Sequence, residues 1–202
     1  MLKIYGIARS RAIRPMWLAE ELGLPYELIS TDYKTGDTAA EAYKSINPNG
    51  RIPTIDDNGF VLFESMAINL YLARKHGGPL AGTDIQEDAL MNMWSYWVMT
   101  EVEKNGLTVL FHGAMLPEDQ RKPELVEAAI NELRRPLAVL EQHPGTRDFL
   151  MGDRFTVADL NVSAVMTYLR PAKDLLASLP KVSAWMAACL ARPAFKAALA
   201  RG

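Results

Sequence analysis

The chain has 202 residues, of which 49% are apolar and 23% are charged, and its formal net charge is −2. This length allows one large domain or two small ones, and the near-neutral charge gives no general attraction to nucleic acids or anionic membranes. The single cysteine, Cys189, excludes an internal disulfide, and three scattered histidines complete no zinc ligand set. No apolar run approaches the ~20 residues of a membrane-spanning helix, and the first residues show no signal-peptide pattern. We therefore expect a soluble cytoplasmic protein without a metal.

The first part of the chain predicts a strand, a helix and a strand. Leu2–Tyr5 is a short apolar segment, the span from Ala12 to Leu22 has apolar residues at helical spacing, and Tyr26–Ser30 follows as a second strand. Elements of these lengths form a right-handed βαβ unit. The residues at 38–41 fit a capping box with Thr38 at its first position, which predicts a short helix reaching Ser45.

The next segment predicts a hairpin and a second amphipathic helix. Strands at Ile52–Asp56 and Phe60–Phe63 are joined around Asn58-Gly59, and this dipeptide is a strong signal for a two-residue turn. Helical periodicity runs from Ser65 to His76 and ends at glycine. The order βαβ-α-ββ-α predicts a four-stranded mixed sheet with helices packed on it.

The remainder of the chain predicts only helices. Glycine and proline cluster between Gly77 and Asp84, so we place domains at 1–78 and 86–202 with a linker at 79–85. A long helix should run from Ile85 to about Phe111, with a bend near Gly106. Pro123–Gln142 should be another, and its apolar residues at bundle spacing are Val126, Ile130, Leu133, Leu137 and Leu140.

Shorter helices should complete this part of the chain. Thr156 and Asp159 fit the two positions of a capping box, which predicts a helix that begins at this point. Two further helices are predicted at Pro180–Ala191 and Ala194–Arg201. Cys189 lies in an apolar helical segment and is expected to be an inert core residue.

Two short segments of the N-terminal half have the chemistry of a binding site. Pro53 directly precedes an apolar strand, which suits a rigid X-Pro bond, able to be cis, that exposes the backbone of Ile52 to a ligand. Glu64 and Ser65 open a helix, and the unpaired N–H groups of a helix N-terminus can hold a carboxylate. Together these segments predict a clamp for a small peptide-like acid.

These elements and motifs resemble the cytosolic glutathione transferases over the whole chain, most closely the serine-type, theta-like members found in bacteria. The matching segments are Asn-Pro-Asn-Gly-Arg-Ile-Pro at 47–53, Glu-Ser-Met-Ala-Ile at 64–68, Phe-Thr-Val-Ala-Asp-Leu at 155–160, and the late Pro180, Trp185 and Arg192-Pro193. The resemblance implies a thioredoxin-like N-terminal domain and an all-helical C-terminal domain. Members of this family are usually homodimers.

The resemblance also implies roles for individual residues. The backbone of Ile52, before Pro53, would pair with the cysteinyl part of glutathione. Glu64 and Ser65 would hold the γ-glutamyl amine and carboxylate, and Arg51 could reach the glycyl carboxylate. Glutathione is then a co-substrate, and no cofactor is needed.

The chemistry requires a thiolate, and two hydroxyl groups compete to stabilise it. Ser10 lies in the loop before the first helix, where theta-class and many bacterial members carry their catalytic serine, whereas Tyr5 belongs to the first strand. We favour Ser10, although a serine at this position can also be a plain helix cap. Arg11 is the best placed of three nearby arginines to meet an anion.

The second substrate would lie between Ser10 and the first long helix of the bundle, which is rich in Met and aromatic residues. Trp97, Thr100 and His112 are weak candidates for its pocket. The partner would be a small electrophile or a peroxide, so a peroxidase side activity is included.

The predicted function is therefore a glutathione transferase. A non-catalytic glutathione-binding module on the same scaffold is one alternative. A glutathione-dependent isomerase is another, but the loop from Ala8 to Ala12 lacks the Ser-Ser-Cys run of such members.

Overall fold

A computed structural model describes residues 1–143 and 148–201 of the chain. It divides into two compact units, one formed by Met1–Ala81 with Ala191–Gly202 and the other by Gly82–Leu190. By packing, the last helix therefore belongs to the N-terminal unit. The division predicted from the sequence, with domains at 1–78 and 86–202 and a linker at 79–85, stays a prediction.

The described residues form four strands and ten α-helices. The strands are β1 (Leu2–Gly6), β2 (Tyr26–Ser30), β3 (Thr54–Asp57) and β4 (Phe60–Phe63). The helices are α1 (Ile13–Glu21), α2 (Glu41–Lys44), α3 (Ser65–His76), α4 (Ile85–Trp97), α5 (Lys104–Leu110), α6 (Pro123–Gln142), α7 (Val157–Met166), α8 (Lys173–Ala177), α9 (Pro180–Leu190) and α10 (Pro193–Ala200). The predicted fold class, a thioredoxin-like α/β domain followed by an all-helical one, is confirmed.

The sheet has the strand order β2-β1-β3-β4, with β1 parallel to β2 and antiparallel to β3, which in turn pairs antiparallel with β4. The predicted hairpin turn is present, with φ of 55° at Asn58 and 93° at Gly59. Both values are positive, as a type I′ turn requires, and Asn-Gly meets that requirement at little cost. Ile4 and Ile55, opposite each other in the sheet, are fully buried.

The last helix, α10, packs on α1 within the N-terminal unit. The rings of Trp17 and Phe195 lie 4.7 Å apart at their centroids, and the guanidinium of Arg192 donates to both carboxylate oxygens of Glu21 at 2.6 and 2.7 Å. A bidentate arginine–carboxylate pair fixes orientation as well as distance. The sequence predicted this helix but gave no sign of where it packs.

The predicted capping box at Thr38 is wrong. Thr38 lies in a 3-10 turn, Asp37–Ala39, and α2 begins only after Ala40, which makes no side-chain cap. The turn closes first because Ala39 N and Ala40 N donate to Gly36 O and Asp37 O. The helix therefore starts two residues later than a cap at Thr38 would require.

The first long helix of the C-terminal unit contains irregular segments at positions that the sequence did not indicate. α4 passes into a π-helical segment, Val98–Glu103, then into α5, and then into a second π segment, Phe111–Met115. Gly106 itself lies in regular α5, where an added Cβ would meet Cβ of Tyr168 at 3.3 Å. Gly106 is thus explained by close packing, and the departures from α geometry lie on either side of it.

The predicted capping box at the start of α7 is confirmed. Thr156 Oγ1 accepts from Ala158 N, while the Asp159 carboxylate accepts from Thr156 N at 2.9 Å and Thr156 Oγ1 at 3.1 Å. Asp159 also accepts from Leu150 N at 2.8 Å and from Trp185 Nε1 at 3.0 Å. One buried carboxylate therefore joins the start of α7 to a preceding loop and to α9.

Candidate functional site

Three loops meet at one edge of the N-terminal sheet. Tyr5 pairs with Thr54, and Thr54 pairs with Phe63, so these residues form one row across β1, β3 and β4. The chain leaves β1 and β4, and enters β3, at this same edge. The loop that carries Ser10, the Ile52-Pro53 segment and the Glu64-Ser65 helix start are therefore neighbours, as the binding-site prediction requires.

Gly6 lets two of these loops approach closely. Its φ is +148°, and an added Cβ would lie 2.4 Å from Cβ of Ala12 and 3.6 Å from Cβ of Ile52. The first distance is far below any real contact between carbon atoms, so only glycine fits here. The close approach brings the start of α1 against the end of β1, with Ile52 beside both.

The segment before β3 is fixed by hydrogen bonds from two buried side chains. Asn47 Nδ2 donates to Arg51 O at 2.8 Å and to Thr54 Oγ1 at 3.0 Å, and Tyr43 Oη donates to Arg51 O at 2.7 Å. Asn47 Oδ1 accepts from Asn49 N at 3.1 Å. The sequence motif included Asn47 without giving it a role, and the Asn-Pro dipeptide is the signal that could have found this turn.

Ile52 presents its backbone at the centre of this arrangement. The Ile52–Pro53 peptide bond is cis, and the Ile52 side chain is buried. Within the described ranges 1–143 and 148–201, no hydrogen bond joins its N–H or C=O to another residue. Backbone groups in this state can pair with the backbone of a peptide ligand, as one strand pairs with the next.

The start of α3 is suited to an anion. Glu64 at its N-cap makes no side-chain capping bond, no acidic residue lies in its first turn, and Arg74, Lys75 and His76 lie in its last turn. The dipole is therefore complemented at the C-terminal end, while the N-terminal N–H groups remain available for a negative ligand. Arg51, directly before Ile52 in the sequence, has an exposed side chain.

Glu64 stands at the N-cap position of α3 in a strained conformation. Its φ is +71°, which is unfavourable for a residue other than Gly, Asn or Asp and costs about 1–2 kcal/mol. Its side chain is exposed and makes no hydrogen bond within the part of the chain that the structure describes. Strain of this kind gathers at functional sites, and this conformation places the carboxylate beside the helix start.

Ser65 is held by a residue to which the sequence assigned no role. Arg14 Nη1 donates to Ser65 Oγ at 2.9 Å, and the two residues are only 1% and 4% exposed. A hydroxyl that accepts from arginine keeps its own O–H for another acceptor. No local pattern could reveal this pair, because its members lie 51 residues apart.

Ser10 is placed at the turn that begins α1. Its Oγ donates to Ile7 O at 2.7 Å and accepts from Ala12 N at 3.1 Å, both within the turn that precedes the helix, whose N-cap is Ala12. Arg11, beside it, is half-buried. Tyr5, the other candidate, lies within β1 with its ring centroid 6.0 Å from that of Tyr43. Both assignments of the thiolate activator stay predictions.

The three candidates for the second-substrate pocket do not lie together. Trp97 packs edge-on against Trp94 at 5.2 Å, and Thr100 is exposed with its hydroxyl directed back to Tyr96 O. His112 lies twelve residues beyond Thr100, about 18 Å along a helix at 1.5 Å per residue. It lines a cavity formed within the C-terminal unit. Their proposed role stays a prediction.

In the described parts of the chain, no group of three or more His, Cys, Asp or Glu side chains is arranged to hold a metal ion. No helix described by the structure combines the length and apolarity needed to cross a membrane. Cys189 is fully buried, as expected of a core residue.

Comparison with known proteins identifies the family. Residues 1–74 match the N-terminal domain of glutathione S-transferases, and residues 105–193 match their C-terminal domain. Glutathione S-transferase 3 from Zea mays is 33% identical over 98% of this chain and 93% of its own length. Glutathione S-transferase theta-1 from Bos taurus is 31% identical over 91% of this chain and 80% of its own length.

A solved structure agrees with these relatives. A glutathione transferase from Burkholderia graminis, with two glutathione molecules bound per subunit, is 28% identical, covers 98% of this chain and 87% of its own, and superposes with a TM-score of 0.88. The chain belongs to the glutathione S-transferase family. The predicted family, function and enzyme class are confirmed at that level.

Proposed function

We propose that this enzyme binds glutathione along the edge of the sheet where β1, β3 and β4 meet, and that Ser10 stabilises its thiolate for attack on an electrophile. The observation that carries the proposal is the convergence of three loops with complementary chemistry. One carries a hydroxyl, one an unpaired backbone and one an open helix N-terminus.

Each part of glutathione has a counterpart at this edge. The γ-glutamyl carboxylate would accept from the α3 N-terminus and from Ser65, whose O–H is left available by Arg14. Glu64 would take the γ-glutamyl ammonium. The cysteinyl backbone would pair with Ile52, and Arg51 would reach the glycyl carboxylate.

The Ser10 hydroxyl can donate to the glutathione sulfur instead of to Ile7 O, with a net gain in free energy. Its O–H now donates to Ile7 O, a neutral bond of about 1 kcal/mol net, whereas a bond to an anion contributes about 1.5–3 kcal/mol. The N–H of Ala12 keeps the serine oxygen in place during the exchange. A free thiol has a pKa of about 8.5, so this gain lowers it by roughly one unit.

The serine-type, theta-like assignment is supported by the theta-1 relative and by the position of Ser10 before α1. Arg11 would add positive potential beside the sulfur. The second substrate is a small electrophile or a peroxide, with Trp97, Thr100 and His112 as the candidate pocket residues, and the enzyme acts as a homodimer without a cofactor. The cytoplasmic location stays a prediction from the sequence.

Retention on immobilised glutathione and turnover of an aryl halide test the proposal together. Wild type should be retained and should turn over, and Glu64→Ala with Ser65→Ala should lose both. Retention without turnover of any electrophile or hydroperoxide would instead support the non-catalytic module. No retention would refute the proposed site.

A further inference from the structure

An open cavity is formed within the C-terminal unit by residues none of which belongs to the proposed glutathione site. Its volume is about 820 Å³, and its walls come from the π segment Phe111–Met115, from α6 and from α8. This volume lies in the range of small-molecule sites, about 300–1,000 Å³. The floor is apolar, formed by Val126, Ile130 and Leu175.

Charges of both signs surround this floor without being paired. Two arginines and three carboxylates line the cavity: Arg121, Arg134, Glu118, Glu127 and Asp174. None of the five forms an ion pair with any residue within the described ranges 1–143 and 148–201. A ligand with only one sign of charge would meet repulsion from the other set, so the lining favours a molecule that carries both.

The spacing along α6 indicates how far apart the ligand's charges should be. Glu127 and Arg134 lie seven residues apart and both line the cavity, which places them about 10 Å apart along the helix axis. An extended chain of three residues also spans about 10 Å. The two ends of a tripeptide could therefore meet both side chains at once.

Polar groups between these ends suit a peptide backbone. Asn131 lines the cavity midway between Glu127 and Arg134. Across from α6, Nδ1 of His112 is buried and has no hydrogen-bond partner among the residues that the structure describes. A buried polar atom without a partner is costly, and a peptide N–H or C=O would satisfy it.

Arg121 fixes the wall of the cavity that is formed by the π segment Phe111–Met115. Its Nε donates to Leu116 O and its Nη2 to Ala114 O, both at 2.8 Å. These bonds tie the end of the π segment to the start of α6, so the wall that carries His112 is held in place. A preformed wall lowers the ordering cost of binding.

We propose that this cavity is a second binding site, which takes a short peptide of about three residues with an apolar side chain. The peptide ammonium lies beside Glu127, its carboxylate beside Arg134, and its apolar side chain on Ile130 and Leu175.

Calorimetric titration with the tripeptide Ala-Phe-Ala tests the site, because this peptide lacks the thiol and the γ-linkage of glutathione. Its N-acetylated form removes the ammonium, and its C-terminal amide removes the carboxylate. The free peptide should bind, and each blocked form should bind about tenfold more weakly.

Single substitutions test which side chain contacts the ammonium of the peptide and which contacts its carboxylate. Glu127→Gln should bind the free and N-acetylated peptides equally, and Arg134→Gln should bind the free and amidated peptides equally. Glu132→Gln and Arg135→Gln change exposed neighbours on α6 that do not line the cavity, and both should behave as wild type.

No measurable binding of the free peptide, or equal binding of all three peptides to wild type, would overturn the proposal. So would binding that is lost in Glu64→Ala but kept in Glu127→Gln, since the peptide would then occupy the glutathione site. Loss of glutathione retention with these peptide results intact would refute only the proposed catalytic site.

Discussion

Arg14 Nη1 donates to Ser65 Oγ at 2.9 Å, so a residue in the first turn of α1 orients the first residue of α3. Both side chains are buried, which makes the bond stronger than one exposed to water. Ser65 is thereby fixed as an acceptor toward Arg14 and as a donor toward a ligand. The pair connects the fold of the N-terminal unit to its proposed function.

Replacing Arg14 should therefore weaken glutathione binding. Arg14→Met keeps most of the volume and removes the donor, so we expect KM for glutathione to rise about tenfold, or about 1.4 kcal/mol, with a smaller change in kcat. Arg14→Lys should recover part of this loss. Steady-state kinetics and calorimetry measure both effects.

Arg9→Met is the matched control, because Arg9 is an exposed arginine in the loop just before α1 and its replacement should be neutral. An Arg14→Met enzyme that is less stable but has an unchanged KM and Kd for glutathione would show that Arg14 supports only the fold.

The backbone conformation of Glu64 should lower the stability of the fold, while its carboxylate should raise the affinity for glutathione. Glu64→Gly relieves a φ of +71°, so the free energy of unfolding should rise by up to about 1 kcal/mol while glutathione affinity falls. Glu64→Gln keeps the strain and removes the charge, so it should lose affinity without gaining stability. Denaturant unfolding and calorimetry on both variants decide this, and a Glu64→Gly protein that binds as wild type would contradict the role of the carboxylate.

Gly6 should tolerate no side chain. Gly6→Ala brings a Cβ to within 2.4 Å of Ala12 Cβ at a positive φ, and we expect a loss of at least ~2 kcal/mol in the free energy of unfolding. Gly23→Ala is the control, because its φ of +63° is also positive but nothing lies within 4 Å of the added atom. The control should cost only about 1 kcal/mol. Equal losses in the two variants would mean that the close approach at Ala12 is relieved by small shifts.

Asp159 should make stability depend on pH in an unusual direction. Burial raises the pKa of this carboxyl, opposed by its hydrogen bonds from Leu150, Trp185 and Thr156. The folded-state pKa is therefore above the unfolded-state value of about 3.9. The contribution of Asp159 to the free energy of unfolding is then largest below about pH 3.9, and it falls as the pH rises through the folded-state pKa.

Asp159→Asn tests this sign. The free energy of unfolding of the variant should be lower by about 1–3 kcal/mol, because one oxygen acceptor becomes a donor. This difference from wild type should become smaller as the pH rises from 4 toward 7. Asp153→Asn, an exposed neighbour, should show no gap. A gap that widens toward neutral pH would show that the hydrogen bonds outweigh burial.

Elements with local signals could be predicted closely from the sequence. The bounds of β2, β4, α3 and α6 match the predicted ones, because turn dipeptides, prolines and glycines mark them within a few residues. The cap of α7 is equally local. Thr38 shows the limit of such signals, since a preceding 3-10 turn displaced the helix from a sequence that fits a capping box.

The residues proposed to contact the ligand could be predicted from the sequence, but the residue that positions one of them could not. Ile52, Glu64 and Ser65 belong to recognisable motifs, whereas Arg14 acts through a partner 51 residues away. The π segments around α5 had no local signal either. Val126 and Ile130 were predicted as bundle positions, yet they are half-buried and line a cavity, because periodicity does not reveal how much of a helix face is covered.

The pKa of the thiol in bound glutathione, titrated by thiolate absorbance in wild type, Ser10→Ala and Tyr5→Phe, tests the central claim most directly. We predict a pKa below that of free thiols, about 8.5, in wild type and Tyr5→Phe, and an increase of roughly one unit in Ser10→Ala. An unchanged titration in Ser10→Ala, with the increase appearing in Tyr5→Phe instead, would contradict it.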